Sequence, residues 1–479
     1  MKKYSIIISL IVFASCHDFI DLKPNDTVSI NQMFNSESDF RDAINGCYHP
    51  LRARYNEMYI FGDMRADDAW IEVQGARKAS YNSDVFTMNE NEGLLGDTWQ
   101  GYYLIISRVN YVLEKIEAAD KSVLRNLDRY EGEARFLRAL SYFDLVRIFG
   151  DVPSIKNSLT IEESYTVKRA SVESIYNDII IPDLIDAANK LPERYSGADV
   201  GRATKGAAKS LLGKVYLYRK NFANAESLLQ EVTTMGYALL ADYNALWTYV
   251  NEHHSEYIFD IEYMRGGFGQ GNAFSYRFLP MNAEFTAMIG VSGGWGGEDI
   301  NPTQIFVKLF ESSPGDLRKD INVDATGGFI NSKGEFVRFI QAATYTKKYQ
   351  TPLSAQSDGH ANWKVIRYAD VLLMLAEAMN ENGKTAAAIP YLNMIRKRAG
   401  VEEYPTTMSK SETFAAIERE RRLELSFEGH RWFDLVRWGK AYEVMKDIGM
   451  KEYMTVYPIP LTQLQVINDT NILWQNPGY

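Results

Sequence analysis

Cysteine is almost missing: 479 residues contain two, Cys16 and Cys47. A disulfide framework and a structural zinc site built on several thiolates are both excluded by that count. Only six histidines occur, and His253-His254-Ser255-Glu256 has the wrong order and spacing for a zinc-protease helix. No block of lysine and arginine is present, and the formal net charge is -10, which argues against a nucleic-acid partner. Beyond the first residues no apolar run approaches the ~20 residues that a transmembrane helix needs.

What is abundant is aromatic surface, 13% of the chain with 30 tyrosines and eight tryptophans. Rings at that density fill helix-packing seams and also supply flat surfaces for ligands. The first 15 residues form a basic start, Met1-Lys2-Lys3, then the apolar run Ile6 to Phe13, then Ala14-Ser15 before Cys16. That order describes a secretory signal too short to span a bilayer. Phe13-Ala14-Ser15-Cys16 resembles a lipobox, which implies cleavage before Cys16 and its acylation. Residues 1–15 are therefore read as signal peptide and 16–30 as a lipidated N-terminus and spacer. Cys47 is left as a small buried hydrophobe.

Helical periodicity predicts a helix from Glu37 to about Tyr55, whereas Asp63 to Asn91 reads as surface loops. From Thr98 helices come in pairs: Trp99–Ala118 with Leu127–Ile148, then Val172–Lys190 with Thr204–Arg219 and Phe222–Met235. The texture returns at Tyr368–Ala378 and Ala386–Arg398. The small-large alternation of Ala207-Ala208 to Tyr218 is that of tetratricopeptide helices, which must stack to bury their faces. Between Asp242 and Trp363 the pattern changes. Tyr257–Tyr263 and, briefly, Phe336–Ile340 alternate like strands, among the glycine runs Arg265–Asn272 and Gly290–Gly297. Loops of this kind are where binding residues usually sit.

The most charged and aromatic stretch is Glu418 to Gly439. It predicts two helices folded back at a C-capping Gly429, with Glu418 paired to Arg422 and Asp434 within reach of Arg431 and Arg437. Arginine suits partly buried ion pairs beside aromatic rings, so the segment reads as a structural latch rather than an acid/base site.

The run Glu420-Arg421-Arg422 to Gly439, with Tyr457-Pro458-Ile459-Pro460 and the terminal Gln475-Asn476-Pro477-Gly478-Tyr479, closely resembles the C-terminal region of the SusD/RagB family. Cys16 to Pro24, Ala134 to Ala139 and Phe149-Gly150-Asp151-Val152-Pro153 extend the resemblance over nearly the whole chain. It implies a mostly α fold of about four tetratricopeptide-like helix pairs carrying irregular loops and a few short strands. Residues 31–479 would form one domain, with the scaffold in 98–240 and 365–450 and loop-rich binding regions in 60–97 and 242–363. It further implies a non-catalytic lipoprotein of the outer membrane surface that captures a nutrient, usually an oligosaccharide, and hands it to a SusC-like TonB-dependent transporter. Oligopeptide capture on the same scaffold is the alternative, and a surface glycoside hydrolase a third.

Apparent catalytic motifs do not fit their contexts. Gly290-Val291-Ser292-Gly293-Gly294 has the letters of a nucleophile elbow, but Trp295-Gly296-Gly297 follows where a helix is needed. Asn382-Gly383-Lys384-Thr385 ends like a phosphate loop, yet Ala378 stands where its first glycine belongs. Neither glycine run fits a dinucleotide fingerprint, and no cofactor is expected. The acid pairs Asp67-Asp68 and Glu298-Asp299 serve a hydrolase only at a suitable separation, which sequence does not supply. A sugar site needs aromatic planes for C–H faces and fixed partners for hydroxyls. The candidates are Trp70 and Trp295 as platforms, Tyr81 and Tyr276 as side walls, and Arg65, Asp67 and Asn272 as polar partners.

Overall fold

A computed structural model of the chain describes residues 34–72, 78–120, 122, 124–341 and 343–479. Cys16 and the expected leader lie outside the described residues. The fold is mostly helical, and its few strands are short and paired in twos, with no closed sheet among the described residues.

The scaffold is a succession of helices, each packed on the next: Gly93–Ala118, Leu127–Phe149, Ile181–Lys190, Lys205–Tyr218 and Phe222–Thr233. The last of these packs against Tyr368–Glu381, which packs on Thr385–Arg398, and both meet Lys410–Leu425. The stack therefore runs unbroken across more than a hundred intervening residues, and the loop-rich stretch is an insertion between two neighbouring helices. Close approach is allowed by small residues; a Cβ at Gly213 would stand 2.7 Å from the Leu229 side chain. Thr204 caps its helix by accepting the Ala207 N–H at 3.2 Å, and Ser409 forms a reciprocal capping box with Glu412.

Two expected helices are interrupted. Glu37–Tyr55 divides into Glu37–Tyr48 and Leu51–Tyr55 around Pro50. Val172–Lys190 contains a π-helical turn, Tyr176–Ile180, just before Pro182. Proline has no N–H for the carbonyl four residues back, so the hydrogen-bond ladder shifts there.

The latch is structural, but its pairings differ from those that spacing predicts. The first helix ends at Leu425, four residues before Gly429, and the intervening turn includes Phe427 at φ 61°. Gly429 has φ 79° and donates its N–H to Asp63 Oδ2 at 2.8 Å. A Cβ on Gly62 would lie 2.5 Å from the Gly429 Cα, so the two backbones touch. Arg422 pairs with Asp67 and Asp68 instead of Glu418, which takes Arg431 and Lys440. Asp434 bridges Arg421 and Arg437 at 2.7 and 2.8 Å, not Arg431. The intrahelical pair Asp434–Arg437 forms, whereas Glu418–Arg422 gives way because the nearly buried Asp67 and Asp68 carboxylates hold Arg422 from another element.

Beneath the turn lies a buried ionic cluster. Arg367, the last residue of the strand Trp363–Arg367, donates to Glu428 Oε2 at 2.7 Å and to Glu256 Oε1 at 2.8 Å, and also binds Glu424. Arg318 and Arg398 reach Glu424 from other elements, and Lys348 Nζ reaches Glu428 at 2.8 Å. Burial alone would raise the Glu428 carboxyl, but Arg367 and Lys348 outweigh it and hold it at about 2. Burial brings Lys348 down to about 8.

Asp63–Asn91 is less of a surface segment than its sequence suggests: Asp63, Arg65 and Asp68 are buried and Lys78–Asp84 is helical. The strand Tyr257–Ile261 pairs antiparallel with Trp363–Arg367, and Gly328–Ile330 with Phe336–Arg338. Under the loops sits a second, smaller core around Phe285, Phe329 and Phe339. Cys47 is buried and free, its thiol pushed up to about 12 by burial. At the C-terminus Asn476 donates to the carbonyls of both Phe149 and Tyr457, which joins three of the motifs noted in the sequence.

Candidate functional site

The inserted loops and the turns after the first helices enclose a cleft of about 760 Å³. One wall is Tyr276 and Arg277 from the short helix Phe274–Arg277, and Arg54, Asn56, Glu57, Ala79, Ser80 and Asp97 line the rest. Arg277 Nη1 donates to both Glu57 oxygens at 2.7 Å and to the Tyr59 hydroxyl at 3.4 Å. Burial opposes the charge on Arg277, but Tyr59 and Glu57 more than compensate and raise its pKa. Tyr59 in turn donates to Asp299 Oδ2, which also lines the cleft.

Trp295 stands beside this cleft, 54% exposed, on a backbone that is held rigidly. Its N–H donates to the Tyr276 hydroxyl at 2.9 Å, and the Gly296 N–H reaches the same oxygen at 3.2 Å. Gly297 and Glu298 both donate to the Leu279 carbonyl, at 2.9 and 2.8 Å. A Cβ on Gly297 would lie 2.0 Å from the Arg277 carbonyl oxygen, so the glycine run is what lets the loop lie flat on the helix. Trp70, 37% exposed, is on a two-residue strand paired with Asn301 and Pro302. Asn301 Nδ2 donates to the carbonyls of Trp70 and Glu298, at 3.2 and 2.9 Å, and so fastens the two tryptophan-bearing segments together. Behind Trp70 the Asp84 carboxyl accepts the Ile71 N–H at 3.0 Å, and burial pushes that carboxyl up to about 7.

The seven residues singled out in the sequence divide clearly. Trp295 and Tyr276 are brought together, with Tyr276 largely buried as the anchor of the Trp295 loop and a part of the cleft wall, while Trp70 is tied to the end of that loop through the Asn301 bonds to the Trp70 and Glu298 carbonyls. Tyr81 is half-buried against the main core, on the same helix as Ala79 and Ser80.

Arg65, Asp67 and Asn272 are structural instead of ligand-facing, for reasons of burial. Arg65 is 1% exposed, its guanidinium 4.1 Å from the Tyr457 ring and 4.7 Å from the Phe86 ring, donating to the Met454 carbonyl. Asp67 accepts from Arg431 Nε at 2.8 Å and pairs with Arg422. Asn272 is fully buried and bonds Ser275 N–H and the Ala361 carbonyl, closing a turn. Sequence reading missed Glu57, Arg277 and Asp97; the only hint was that Ala273, Tyr276 and Arg277 share one face at helical spacing.

The acid pairs are also accounted for. Asp67 and Asp68 are neutralised by arginines, and Glu298 Oε1 accepts the Met281 N–H at 2.7 Å. Gly290 to Gly294 follows the helix Ala283–Met288, not a strand, and Gly383 makes the turn between two paired helices at φ 77°. Among the described residues no group of three or more His, Cys, Asp or Glu is placed to hold a metal.

Two family models match, one described as the SusD family over residues 338–455 and one as starch-binding associating with outer membrane over 18–217. Both stretches are thus similar to SusD-type proteins. A SusD-like protein of Formosa agariphila is 27% identical across 97% of both chains. Among solved structures, a laminarin binding SusD-like protein is 29% identical with a TM-score of 0.79, covering 93% of this chain and 100% of its own. Surface glycan-binding protein A from Bacteroides fluxus covers the same shares at 25% identity and a TM-score of 0.79. The helix stack with an inserted loop region is thus the fold of SusD-like proteins.

Proposed function

We propose that this SusD-like protein captures oligosaccharides at the outer membrane surface, without cleaving them, and delivers them to a SusC-like TonB-dependent transporter. The observation that carries the binding reading is the pairing of Trp295 with Tyr276 at the cleft edge. An exposed indole on a pinned backbone offers a flat apolar plane at little entropic cost, beside charged and hydroxyl groups suited to sugar hydroxyls. The laminarin binding relative and the family description support the same ligand class. Two of the cleft carboxylates favour capture over hydrolysis, since Glu57 is committed to Arg277 and Asp299 to Tyr59.

Anchoring through an acylated Cys16 completes the proposal; several acyl chains hold a soluble domain firmly where one holds reversibly. No helix among the described residues is long and apolar enough to cross a membrane. Calorimetric titration against plant, host and microbial glycans, with product analysis after prolonged incubation, tests the reading. Binding of at least one glycan that is recovered intact is expected. Release of shortened products, or binding only to peptides, overturns it.

A further inference from the structure

A second groove, sharing no lining residue with the cleft, lies where the turn after the helix Ile181–Lys190 meets the strand Tyr257–Ile261. It encloses about 570 Å³, within the ~300–1,000 Å³ range of small-ligand sites. Its rings are Tyr195, Tyr237 and Tyr257, each half-buried and each fixed at its hydroxyl. Tyr195 donates to Glu133 at 3.2 Å, Tyr257 donates to the Gly201 carbonyl at 3.1 Å, and the Tyr237 hydroxyl lies 3.5 Å from Thr204 Oγ1. Three rings held this way form a preorganised aromatic lining rather than a loose apolar patch.

The charges around these rings nearly cancel. Arg202 is spent on Glu133 and Asp199, and His253 on Glu262. Of the lining residues that leaves Glu193 and Arg194, of opposite sign. Arg194 makes only long contacts, 3.5 and 3.4 Å, to the Met235 and Gly236 carbonyls, so its guanidinium is available to a ligand. His254 accepts the Glu256 N–H on Nδ1, and burial with nearby cations keeps its ring neutral, which leaves Nε2–H as a donor. Val200, Gly201 and Arg202 continue into a neighbouring cavity of about 260 Å³, and the His253–Glu262 pair stands between the two.

Tyrosine rings with one neutral imidazole donor and a guanidinium whose charge Glu193 offsets match an uncharged polyhydroxylated ligand better than a sulfated or uronic one. We propose that this groove is a second saccharide site, for a neutral oligosaccharide segment, that acts independently of the tryptophan cleft.

The test titrates the full chain with laminarihexaose and with maltohexaose, in the parent and in Trp295→Ala, Val200→Trp and Arg194→Ala variants. Val200 lines the groove and is 37% exposed, so a tryptophan there fills the space without removing a buried contact. For at least one sugar the parent is expected to show two sites and Trp295→Ala to keep one. In that background Val200→Trp should weaken the residual binding at least about tenfold and Arg194→Ala by several fold. Unchanged melting temperatures show that both groove variants fold. A single site that Trp295→Ala removes, residual binding indifferent to Val200→Trp, or no binding of either sugar overturns the proposal. If instead Val200→Trp removes all binding while Trp295→Ala removes none, the groove stands and the cleft reading fails.

Discussion

Asn301 holds Trp70 from the side, its Nδ2 donating 3.2 Å to the Trp70 carbonyl while a second bond of 2.9 Å fixes Glu298. Two tryptophans more than two hundred residues apart in sequence therefore share one support. Asn301→Ala should weaken glycan binding, because the backbone segments that carry Trp70 and Trp295 lose their common tether. The expected loss is several fold in Kd from titration, with the orphaned carbonyls costing about 1–3 kcal/mol of stability in denaturant melts.

Tyr276→Phe tests the other support. The ring still fills the small core, but two N–H groups lose their acceptor. Affinity should drop several fold, and Trp295→Ala and Trp70→Ala should each weaken binding further by about 1–2 kcal/mol, the scale of a ring-on-ring contact. If both tryptophan variants bind like the parent, the cleft assignment is wrong.

Arg65 makes the contrasting case. Its guanidinium is enclosed by Phe86, Trp432 and Tyr457, so Arg65→Ala should lower stability by about 2–4 kcal/mol while leaving the Kd of the folded fraction unchanged. Urea unfolding and titration on one preparation separate the two effects.

The buried cluster should respond still more strongly to loss of one partner. Arg367→Met leaves Glu256, Glu424 and Glu428 without their shared cation, and a cost of about 3–5 kcal/mol is expected in unfolding experiments. Arg422→Met, at the more exposed edge of the latch, should cost less.

Two opposite pH effects follow from the carboxylates. Glu428 and Asp434 are held at about 2 in the folded chain, against 4.5 and 3.8 when unfolded, so the unfolded state binds protons first. Their contribution is complete above about 4.5 and is lost as pH falls through about 2. Asp84 runs the other way: burial raises it from 3.8 to about 7, so its contribution is complete below 3.8 and is lost as pH rises through about 7. Asp84→Asn should flatten the melting-temperature profile between those limits, and should leave the acid limb intact.

Periodicity and composition were enough for the helical scaffold, because an amphipathic helix advertises its buried face in the chain itself; Leu127–Phe149 and Thr385–Arg398 fall within a residue or so of where apolar spacing puts them. Trp295 and Trp70 were legible as exposed rings in the weaker sense that large rings in glycine-rich or polar surroundings lack a local packing reason. The partners of the charged side chains were not legible. Glu418 and Arg422 sit at ideal helical spacing and do not pair, since Arg431 and Lys440 reach one and Asp67 and Asp68 the other from distant elements. Local sequence thus determined which segments coil and which faces they bury, a matter of nearest-neighbour sterics and apolar area. Only tertiary structure decided which ions meet, that Arg65 and Asn272 are interior, and that Glu57, Tyr276 and Arg277 line one cleft, because those contacts join elements whose separation along the chain carries no distance information.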